Sequence, residues 1–260
     1  MPTEVVACLG EWAGKGWQFI FITGRPFQWG VRALEVLPFP YAVAIQNGAL
    51  LLKMPSKTIL SRKYLVSAIL PSMERLCFDR ATDFIIYCGL EYGDRCYYRP
   101  EHLPPSLLSY LQARSAALGE LWEAVQTFLN LPVVGFCSLK LFAKEAEAQR
   151  LSTEIETLGL HAPLSRDPFN REYFVIQATH SEATKGNALK MFARLLGVKG
   201  PIIAAGDDHN DRSMLQVADV KIVMEDAPSE LLELADIVAP AAAQKGIIWG
   251  LREASRLLDG

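Results

Sequence analysis

Acidic and amide side chains crowd a short segment near the carboxyl end of the chain. Asp207, Asp208, Asn210 and Asp211 lie directly after the apolar residues 201–205. Carboxylate groups held this closely at the end of an apolar strand need a bound cation or a dense hydrogen-bond network. Oxygen ligands suit a hard cation such as Mg²⁺, which binds one or two carboxylates and keeps several waters. The segment therefore predicts a magnesium site, with a helix-capping turn at Asp211 as the alternative.

Two further polar runs could bind an anion. Thr23-Gly24-Arg25 closes the largely apolar run 17–22, and Thr184-Lys185-Gly186 begins a helical pattern. A hydroxyl group, free backbone N–H groups and a lysine at the start of a helix together form a phosphate site. Each run alone has a simpler interpretation, because Thr-Gly-Arg is also a turn sequence and a helical lysine is commonly solvated. The phosphate site depends on the runs meeting in the fold.

Several other metal and nucleophile motifs are missing from the sequence. An EF-hand loop counted from Asp207 needs glycine at its sixth position and glutamate at its twelfth, where this chain has Arg212 and Ala218. The chain also contains no His-Glu-x-x-His, Gly-x-Ser-x-Gly or P-loop pattern. An EF-hand calcium loop can therefore be set aside.

The composition is that of an ordinary globular protein. The 260 residues are 50% hydrophobic and 21% charged, with a net charge of −3 and a pI near 5.9. This balance argues against a surface that coats nucleic acid, and no apolar run is long enough to span a membrane. The five cysteines show no Cys-x-x-Cys spacing, which predicts reduced thiols in a cytoplasmic protein without a zinc site.

Buried strands and helices alternate at the two ends of the chain. Short apolar runs predict strands at 17–22, 42–46, 202–205 and 221–224, and helical periodicity follows them at 185–196, 211–217, 229–234 and 247–258. This alternation predicts an α/β fold with a doubly wound parallel sheet, formed by residues 1–53 and 180–260. Aromatic strands at 84–87 and 173–176, with helices at 65–76 and 146–158, predict an inserted α+β domain over residues 54–179. Ligands bind such sheets beyond the carboxyl ends of the strands, where all three polar runs fall.

Together, and in this order, the motifs resemble those of the haloacid dehalogenase (HAD) superfamily of phosphatases. Within it, the chain resembles the Cof-type subgroup, in which a large cap domain is inserted into a HAD-like, Rossmannoid core. The match runs from about Gly14 to about Leu251. The matching segments are 21–26 (Phe-Ile-Thr-Gly-Arg-Pro), 46–49 (Gln-Asn-Gly-Ala), 184–189 (Thr-Lys-Gly-Asn-Ala-Leu), 206–215 (Gly-Asp-Asp-His-Asn-Asp-Arg-Ser-Met-Leu), 235–238 (Ala-Asp-Ile-Val) and 245–247 (Lys-Gly-Ile).

The resemblance implies Mg²⁺-dependent phosphoryl transfer. Thr23 and the backbone N–H of Gly24 would bind the phosphoryl oxygens, and Lys185 would neutralise their charge. Asp207 would bind Mg²⁺, Asp211 would complete the outer shell of the metal, and Asn210 would hold the phosphate or the lysine. Such a set is physically sensible, because phosphoryl transfer depends mostly on positioning and charge stabilisation.

The resemblance also implies a substrate class. The default substrates are small phosphorylated metabolites, sugar phosphates first, and no nucleic acid or membrane partner is expected. Arg25 and Asn47 are candidate substrate contacts on the core. On the cap, Arg166, Asn170 and Arg171 could reach sugar hydroxyls or a second acidic group, although a polar turn before a strand explains the same residues. The sequence does not indicate an oligomeric state.

The sequence departs from the family in one respect. The nucleophile of the family is the first aspartate of an Asp-x-Asp-Gly motif on the first strand, and no Asp-x-Asp occurs anywhere in the 260 residues. We expect that the first strand of the core is missing and that this chain has little or no phosphatase activity. Three explanations stay open: a longer active protein with an upstream start, a truncated gene, or a non-catalytic relative that binds phosphorylated ligands. A phosphomutase would need the same aspartate.

Overall fold

The computed structural model describes residues 1–259. The helices are α1 (Thr3–Gly14), α2 (Phe27–Val31), α3 (Leu70–Cys77), α4 (Pro105–Leu118), α5 (Glu145–Thr157), α6 (Lys185–Leu196), α7 (Arg212–Leu215), α8 (Ser229–Leu232) and α9 (Gly246–Asp259). The strands are β1 (Ile20–Ile22), β2 (Tyr41–Ile45), β3 (Leu50–Met54), β4 (Thr58–Arg62), β5 (Leu65–Val66), β6 (Ile85–Tyr87), β7 (Arg95–Tyr98), β8 (Leu121–Ala124), β9 (Gly135–Phe136), β10 (Ser138–Ala143), β11 (Leu160–His161), β12 (Leu164–Arg166), β13 (Phe174–His180), β14 (Ile203–Gly206), β15 (Val220–Met224) and β16 (Ile237–Ala239).

The first sheet contains β1, β2, β3 and β4 in that order. β1 and β2 are parallel, with Ile20 opposite Ala42, and the other two pairs are antiparallel. β4 extends this sheet through Arg62, past the domain boundary predicted at residue 53. The sequence did not indicate this extension because an edge strand is only partly buried and carries polar residues. Every residue of β2 is buried, and its apolar, partly β-branched sequence favours such a buried strand.

A second parallel sheet contains β14, β15 and β16, with Ile203 opposite Val220 and Ile222 opposite Ile237. Parallel strands with intervening helices confirm the predicted α/β fold. The expected single core sheet is divided, however, because β1 and β14 lie in different sheets. Among residues 1–259, no strand pairs with the outer edge of β1 or of β14.

The inserted segment forms a mostly antiparallel sheet in the order β11-β13-β10-β6-β7-β8. α3 and α5 cover one face, where Met73 and Leu151 pack with residues such as Ile86 and Leu139. α4 covers part of the other face, where Leu111 packs with Tyr87. The uncovered part of that face is turned toward the core, and we call this sheet with its helices the cap.

Both ends of the chain pack on the core. Val5, Leu9 and Trp12 of α1 are buried at helical spacing and join the cluster that contains Leu251 and Ala254 of α9. α6 covers the other side, where Leu189 packs with Ala204 and Leu215. None of the helices in residues 1–259 combines the length and hydropathy that a membrane crossing requires.

Candidate functional site

Four polar segments meet at the carboxyl ends of the core strands. They are residues 23–25 after β1, 46–48 after β2, 184–186 at the start of α6 and 206–211 after β14, and we call them the four-loop site. Direct contacts join them in sequence. Asn47 N donates to Thr23 O at 2.9 Å, and Lys185 Nζ donates to Asp211 Oδ1 at 2.5 Å. The fold therefore brings together runs that are more than 150 residues apart, as a phosphate site requires.

The loop after β1 is shaped around Gly24. Thr23 Oγ1 accepts a hydrogen bond from Arg25 N at 3.2 Å, which closes the turn. A Cβ atom at Gly24 would lie 3.0 Å from Gln177 Oε1 and 3.1 Å from Asn47 Oδ1. A larger residue would therefore crowd these two oxygen atoms, whereas glycine leaves the space beside them open. Arg25 is exposed, and its guanidinium lies 4.4 Å from the centre of the Trp29 ring.

The loop after β2 carries Gln46, Asn47 and Gly48, and all three have positive φ angles. The φ of 102° at Gly48 suits glycine, and the close approach to α6 does too, because a Cβ atom there would lie 2.9 Å from Ala188 Cβ. Asn47 Oδ1 is buried and has no hydrogen-bond donor among residues 1–259. A buried acceptor without a donor is costly. A ligand hydroxyl next to Gly24 would satisfy it.

Lys185 is buried at the start of α6. Thr184 caps this helix, because its Oγ1 accepts from Asn187 N at 3.1 Å. The Lys185 ammonium donates to Asp211 Oδ1 at 2.5 Å, and both side chains are less than a tenth exposed. The helix N-terminus and the lysine together give this side of the site a positive potential.

The acidic segment is organised around the Asp211 carboxylate. Its second oxygen, Oδ2, accepts from Asp207 N at 3.0 Å and from Asp208 N at 3.1 Å. Asp208 caps the turn that follows, in a reciprocal capping arrangement with Asp211. A Cβ atom at Gly206 would lie 2.6 Å from Asp211 Cβ, so glycine allows the close fit. Asp211 thus holds the turn and pairs with Lys185, and protein donors occupy both its oxygens.

Asp207 is the exposed carboxylate of the segment. Its pKa is raised, first by desolvation and then by the neighbouring Asp211 carboxylate, with Asp208 and Asp226 adding to the effect. Repulsion of this kind is relieved by a bound cation. Asn210 Oδ1, close by in sequence, is buried without a donor among the described residues. Asp226 follows β15 at the same edge and was not predicted, because a lone acid after a strand gives no distinct signal.

Two side chains of this segment could offer oxygen atoms to Mg²⁺. Residues 1–259 contain no cluster of three or more acidic, histidine or cysteine side chains arranged to hold a metal. Mg²⁺ does not need one, because it commonly uses one or two protein oxygens and completes its shell with water and substrate phosphate. Asp207 and Asn210 offer oxygens for this role, whereas Asp211 is engaged with Lys185.

The cap brings an unpredicted lysine to the site. Lys140 of β10 is buried, and its Nζ lies 3.4 Å from Gly24 O and 4.3 Å from the centre of the Tyr87 ring. Burial lowers its pKa to about 8, although Glu120 and Asp94 oppose the shift. The sequence signal for this residue is a single lysine inside the apolar strand Ser-Leu-Lys-Leu-Phe-Ala. A lysine is rarely found fully buried unless it is paired.

Two glutamines connect the cap to the loop after β2. Gln177 Nε2 donates to Gln46 Oε1 at 2.6 Å, and Ser138 Oγ donates to the same oxygen at 2.9 Å. Gln46 Nε2 is buried with no acceptor among residues 1–259. The cap therefore closes over the four-loop site with polar groups, some of which have unused hydrogen-bonding capacity.

Of the predicted cap contacts, Arg166 ends β12, and Asn170 and Arg171 lie in the turn between β12 and β13. Arg166 is exposed, lies 4.0 Å from Glu145 and covers the Phe174 ring. Asn170 Oδ1 accepts from Glu172 N at 3.0 Å, and Arg171 is exposed. The contact of Asn170 fits the alternative interpretation, a polar turn before β13.

The chain is similar in sequence to a known hydrolase family and to proteins named as phosphatases. A family model described as haloacid dehalogenase-like hydrolase matches residues 2–251. Over 64 residues, the chain is 39% identical to phosphoglycolate phosphatase 2 of Saccharolobus solfataricus, and over 80 residues it is 34% identical to phosphoglycolate phosphatase of Archaeoglobus fulgidus. These matches cover 25% and 30% of this chain. The matched segments span only 28% and 36% of the length of these two relatives.

Solved structures show the same fold over nearly the whole chain. A haloacid dehalogenase-like hydrolase from Bacteroides thetaiotaomicron superposes with a TM-score of 0.76 at 17% identity, covering 96% of this chain and 91% of that one. A sugar phosphatase of HAD subclass IIB superposes with a TM-score of 0.73 at 16% identity, covering 98% and 92%. At this identity the likeness establishes the fold alone.

Proposed function

The chain belongs to the haloacid dehalogenase-like hydrolase family, and we propose that its four-loop site binds the phosphoryl group of a small phosphorylated metabolite, as in a phosphomonoester hydrolase. One observation carries the proposal: Lys185 is a buried ammonium at a helix N-terminus, where it pairs with Asp211 of the acidic segment. Gly48, beside Asn47, packs against Thr184, and Asn47 is bonded to Thr23. These contacts connect the loops that carry the cation, the hydroxyl and the backbone N–H groups, which supports a phosphate position among them.

The charges of the site support a dianionic ligand together with a cation. Lys185 faces the phosphoryl group while Asp211 holds its ammonium in place. Asp207 and Asn210 would hold Mg²⁺, which neutralises phosphoryl charge when it is bound. The pKa of Asp207 is raised first by desolvation and second by the Asp211 carboxylate, and a bound cation would oppose both effects.

The polar face of the cap supports a hydroxylated substrate. Lys140 lies beside Gly24, and Gln46 Nε2 and Asn47 Oδ1 have unused hydrogen-bonding capacity at the same place. A donor, an acceptor and a cation next to a phosphate site suit several hydroxyl groups and a second polar group. We therefore propose sugar phosphates as the substrate class.

Hydrolysis through an aspartyl-phosphate would require a free carboxylate nucleophile. No Asp-x-Asp occurs in the 260 residues, and both oxygens of Asp211 are occupied by Lys185 and backbone donors. The nucleophile would have to come from outside these residues. We propose that the 260-residue chain binds its ligand with little or no turnover, which also favours a second candidate function, that of a non-catalytic phosphate-binding protein.

The test is turnover of p-nitrophenyl phosphate by the purified chain with Mg²⁺, alongside binding of inorganic phosphate by calorimetry. We expect phosphate binding without release of nitrophenol above background. Mg²⁺-dependent release that disappears in Asp207→Ala would overturn the inactivity and leave the phosphate site intact. Absence of phosphate binding by a folded chain would overturn the site itself.

A further inference from the structure

One short helix of the core contacts the cap at its amino end, in its middle and just beyond its carboxyl end. This helix is α2, which follows the loop of residues 23–25 after a single proline. Phe27 and Val31 of α2 are buried in the core cluster, so the helix belongs to the core. It therefore lies between the loop assigned to the phosphoryl group and the cap.

Asp94 of the cap binds the amino end of α2. Its Oδ1 accepts a hydrogen bond from Phe27 N at 3.2 Å, and its Oδ2 accepts from Gln28 N at 2.9 Å. The first N–H groups of a helix have no partner within the helix, and Pro26 at the N-cap position has no side-chain acceptor to offer. A carboxylate 66 positions away from Gln28 in the sequence therefore caps this helix.

The surroundings of Asp94 show that this contact is specific. Asp94 is only 6% exposed, and its φ of 56° is a conformation that aspartate adopts more readily than most residues. Burial raises the pKa of its carboxyl group and Glu120 adds to the rise, while the two N–H groups of α2 and the Lys140 ammonium oppose it. A buried carboxylate is costly unless it is hydrogen-bonded, so the donors of α2 account for its position.

The rest of α2 also contacts the cap. The centres of the Trp29 and Phe169 rings lie 6.0 Å apart, and Phe169 belongs to the turn before β13. Arg32, which directly follows α2, donates through Nη2 to Leu118 O of α4 at 3.3 Å. We call these two contacts, together with the two hydrogen bonds of Asp94, the α2 clamp.

The position of α2 sets the position of the loop before it. That loop is bonded to the loop after β2, because Gln46 N donates to Arg25 O at 3.1 Å and Asn47 N donates to Thr23 O at 2.9 Å. α2 has only five residues, and helices this short depend on tertiary contacts for their stability. A shift of α2 would therefore move residues 23–25, since one residue separates them from the helix.

We propose that Asp94 is a positioning residue for the phosphate site: by capping α2 from the cap, it holds the loop of Thr23 and Gly24 in the form that binds the phosphoryl group. The inference rests on the proposed function, since it concerns the same site. Asp94 itself contacts the backbone of α2 and is not assigned to the ligand. Because coupling between two equilibria is reciprocal, bound phosphate stabilises the α2 clamp by the same factor by which the clamp favours phosphate.

The experiment compares the full 260-residue chain with Asp94→Ala, which removes both acceptors. Amide hydrogen exchange, followed by NMR, reports on the clamp at Gln28 and on the loop at Gln46, whose N–H group donates to Arg25 O. Calorimetry measures binding of inorganic phosphate with Mg²⁺. We expect both amides to exchange faster and phosphate to bind more weakly in the variant, each by roughly fivefold or more, as is usual for coupled sites. Saturating phosphate should slow exchange at Gln28 in the wild type by the same factor as the loss of affinity.

Two further variants separate positioning from a general loss of structure. Asp79→Ala is the matched control, because Asp79 is also a cap aspartate with a positive φ, of 58°, but is exposed. It should leave phosphate affinity and exchange at both reporter amides unchanged. Asp94→Asn keeps one carbonyl acceptor and should give intermediate values. Slow exchange at Leu139, in the central strand β10, shows that the cap of a variant remains folded; if Asp94→Ala loses this protection, Asp94→Asn provides the same comparison.

The outcomes distinguish this inference from the proposed function. Equal phosphate affinity in the wild type and a folded Asp94 variant, or unchanged exchange at Gln46, would overturn the positioning role and leave the phosphate site intact. A wild type that does not bind phosphate would overturn the proposed function. Exchange at Gln46 would then still decide whether Asp94 positions the loop, since faster exchange in the variant supports that role and unchanged exchange overturns it.

Discussion

The Lys185 ammonium lies 2.5 Å from Asp211 Oδ1 at the base of the four-loop site, and both side chains are buried. This pair connects the start of α6 to the turn after β14. Asp211 also accepts two backbone hydrogen bonds from that turn. One carboxylate therefore sets the position of the lysine and the shape of the acidic segment together.

Asp211→Asn should destabilise the protein strongly, because it leaves the Lys185 charge buried without a counter-charge. Breaking a buried pair in this way typically costs about 3–5 kcal/mol. Urea unfolding at pH 7 measures the change. Glu4→Gln is the matched control, since Glu4 pairs with Lys245 at the exposed surface and its loss should leave the midpoint unchanged within error. Equal effects of the two substitutions would contradict the structural role of Asp211.

Gly24→Ala should weaken phosphate binding more than it changes stability. The added methyl group would lie 3.0 Å from Gln177 Oε1 and 3.1 Å from Asn47 Oδ1, so the loop must shift and displace the Gly24 N–H assigned to the phosphoryl group. Calorimetry with inorganic phosphate should show a loss of at least tenfold in affinity. Gly10→Ala in α1 is the control, because nothing lies within 4 Å of its added Cβ atom. Unchanged affinity in Gly24→Ala would place the phosphate elsewhere.

Lys140→Met should raise the free energy of unfolding at pH 7. Burial lowers the Lys140 pKa from 10.5 to about 8, so the folded state binds fewer protons than the unfolded state between these pH values. The destabilisation is therefore fully present below pH 8 and disappears as the pH rises through 10.5. Urea unfolding at pH 7 and pH 10.5 measures the difference between variant and wild type. A difference of the same size at both pH values would contradict the lowered pKa.

Asp207→Asn should abolish stabilisation by Mg²⁺. If the Asp207 carboxylate holds the cation, Mg²⁺ at 100 Kd stabilises the wild type by about 2.7 kcal/mol through mass action, and its melting temperature rises accordingly. The variant should show no such rise. Asp208→Asn is the control, because asparagine also caps a helical turn and this residue is not assigned to the metal. Loss of the Mg²⁺ effect in Asp208→Asn alone would reassign the ligand.

The segments of the four-loop site could be predicted from the sequence because they directly follow strands or begin a helix. The prediction assumed that Thr23 and Asp207 follow strands of one parallel sheet, whereas β1 and β14 lie in different sheets. The partner of Asp211 could not be predicted, since a carboxylate beside a lysine fits both a metal ligand and an ion pair.

The cap residues that reach the site could not be predicted from the sequence. Lys140 and Gln177 reach the site only because the inserted sheet packs on the core with that face inward, and no local pattern encodes this packing. The extension of the first sheet by β4 depended on long-range pairing in the same way. Within the described residues, β1 pairs only with β2 and β14 only with β15, so the two strands lie in different sheets. The periodicity of a strand does not specify which strand it pairs with.

The most direct test of the account is calorimetric binding of inorganic phosphate, with Mg²⁺, to the wild type and to Thr23→Val. Valine keeps the shape of threonine and removes the hydroxyl assigned to the phosphoryl oxygen. Thr127→Val is the matched control, because Thr127 Oγ1 accepts from the N–H two residues ahead at 3.2 Å, as Thr23 Oγ1 does, but in the cap. We predict saturable binding that weakens at least tenfold in Thr23→Val and is unchanged in Thr127→Val. Binding that is equal in all three proteins would contradict the phosphate site.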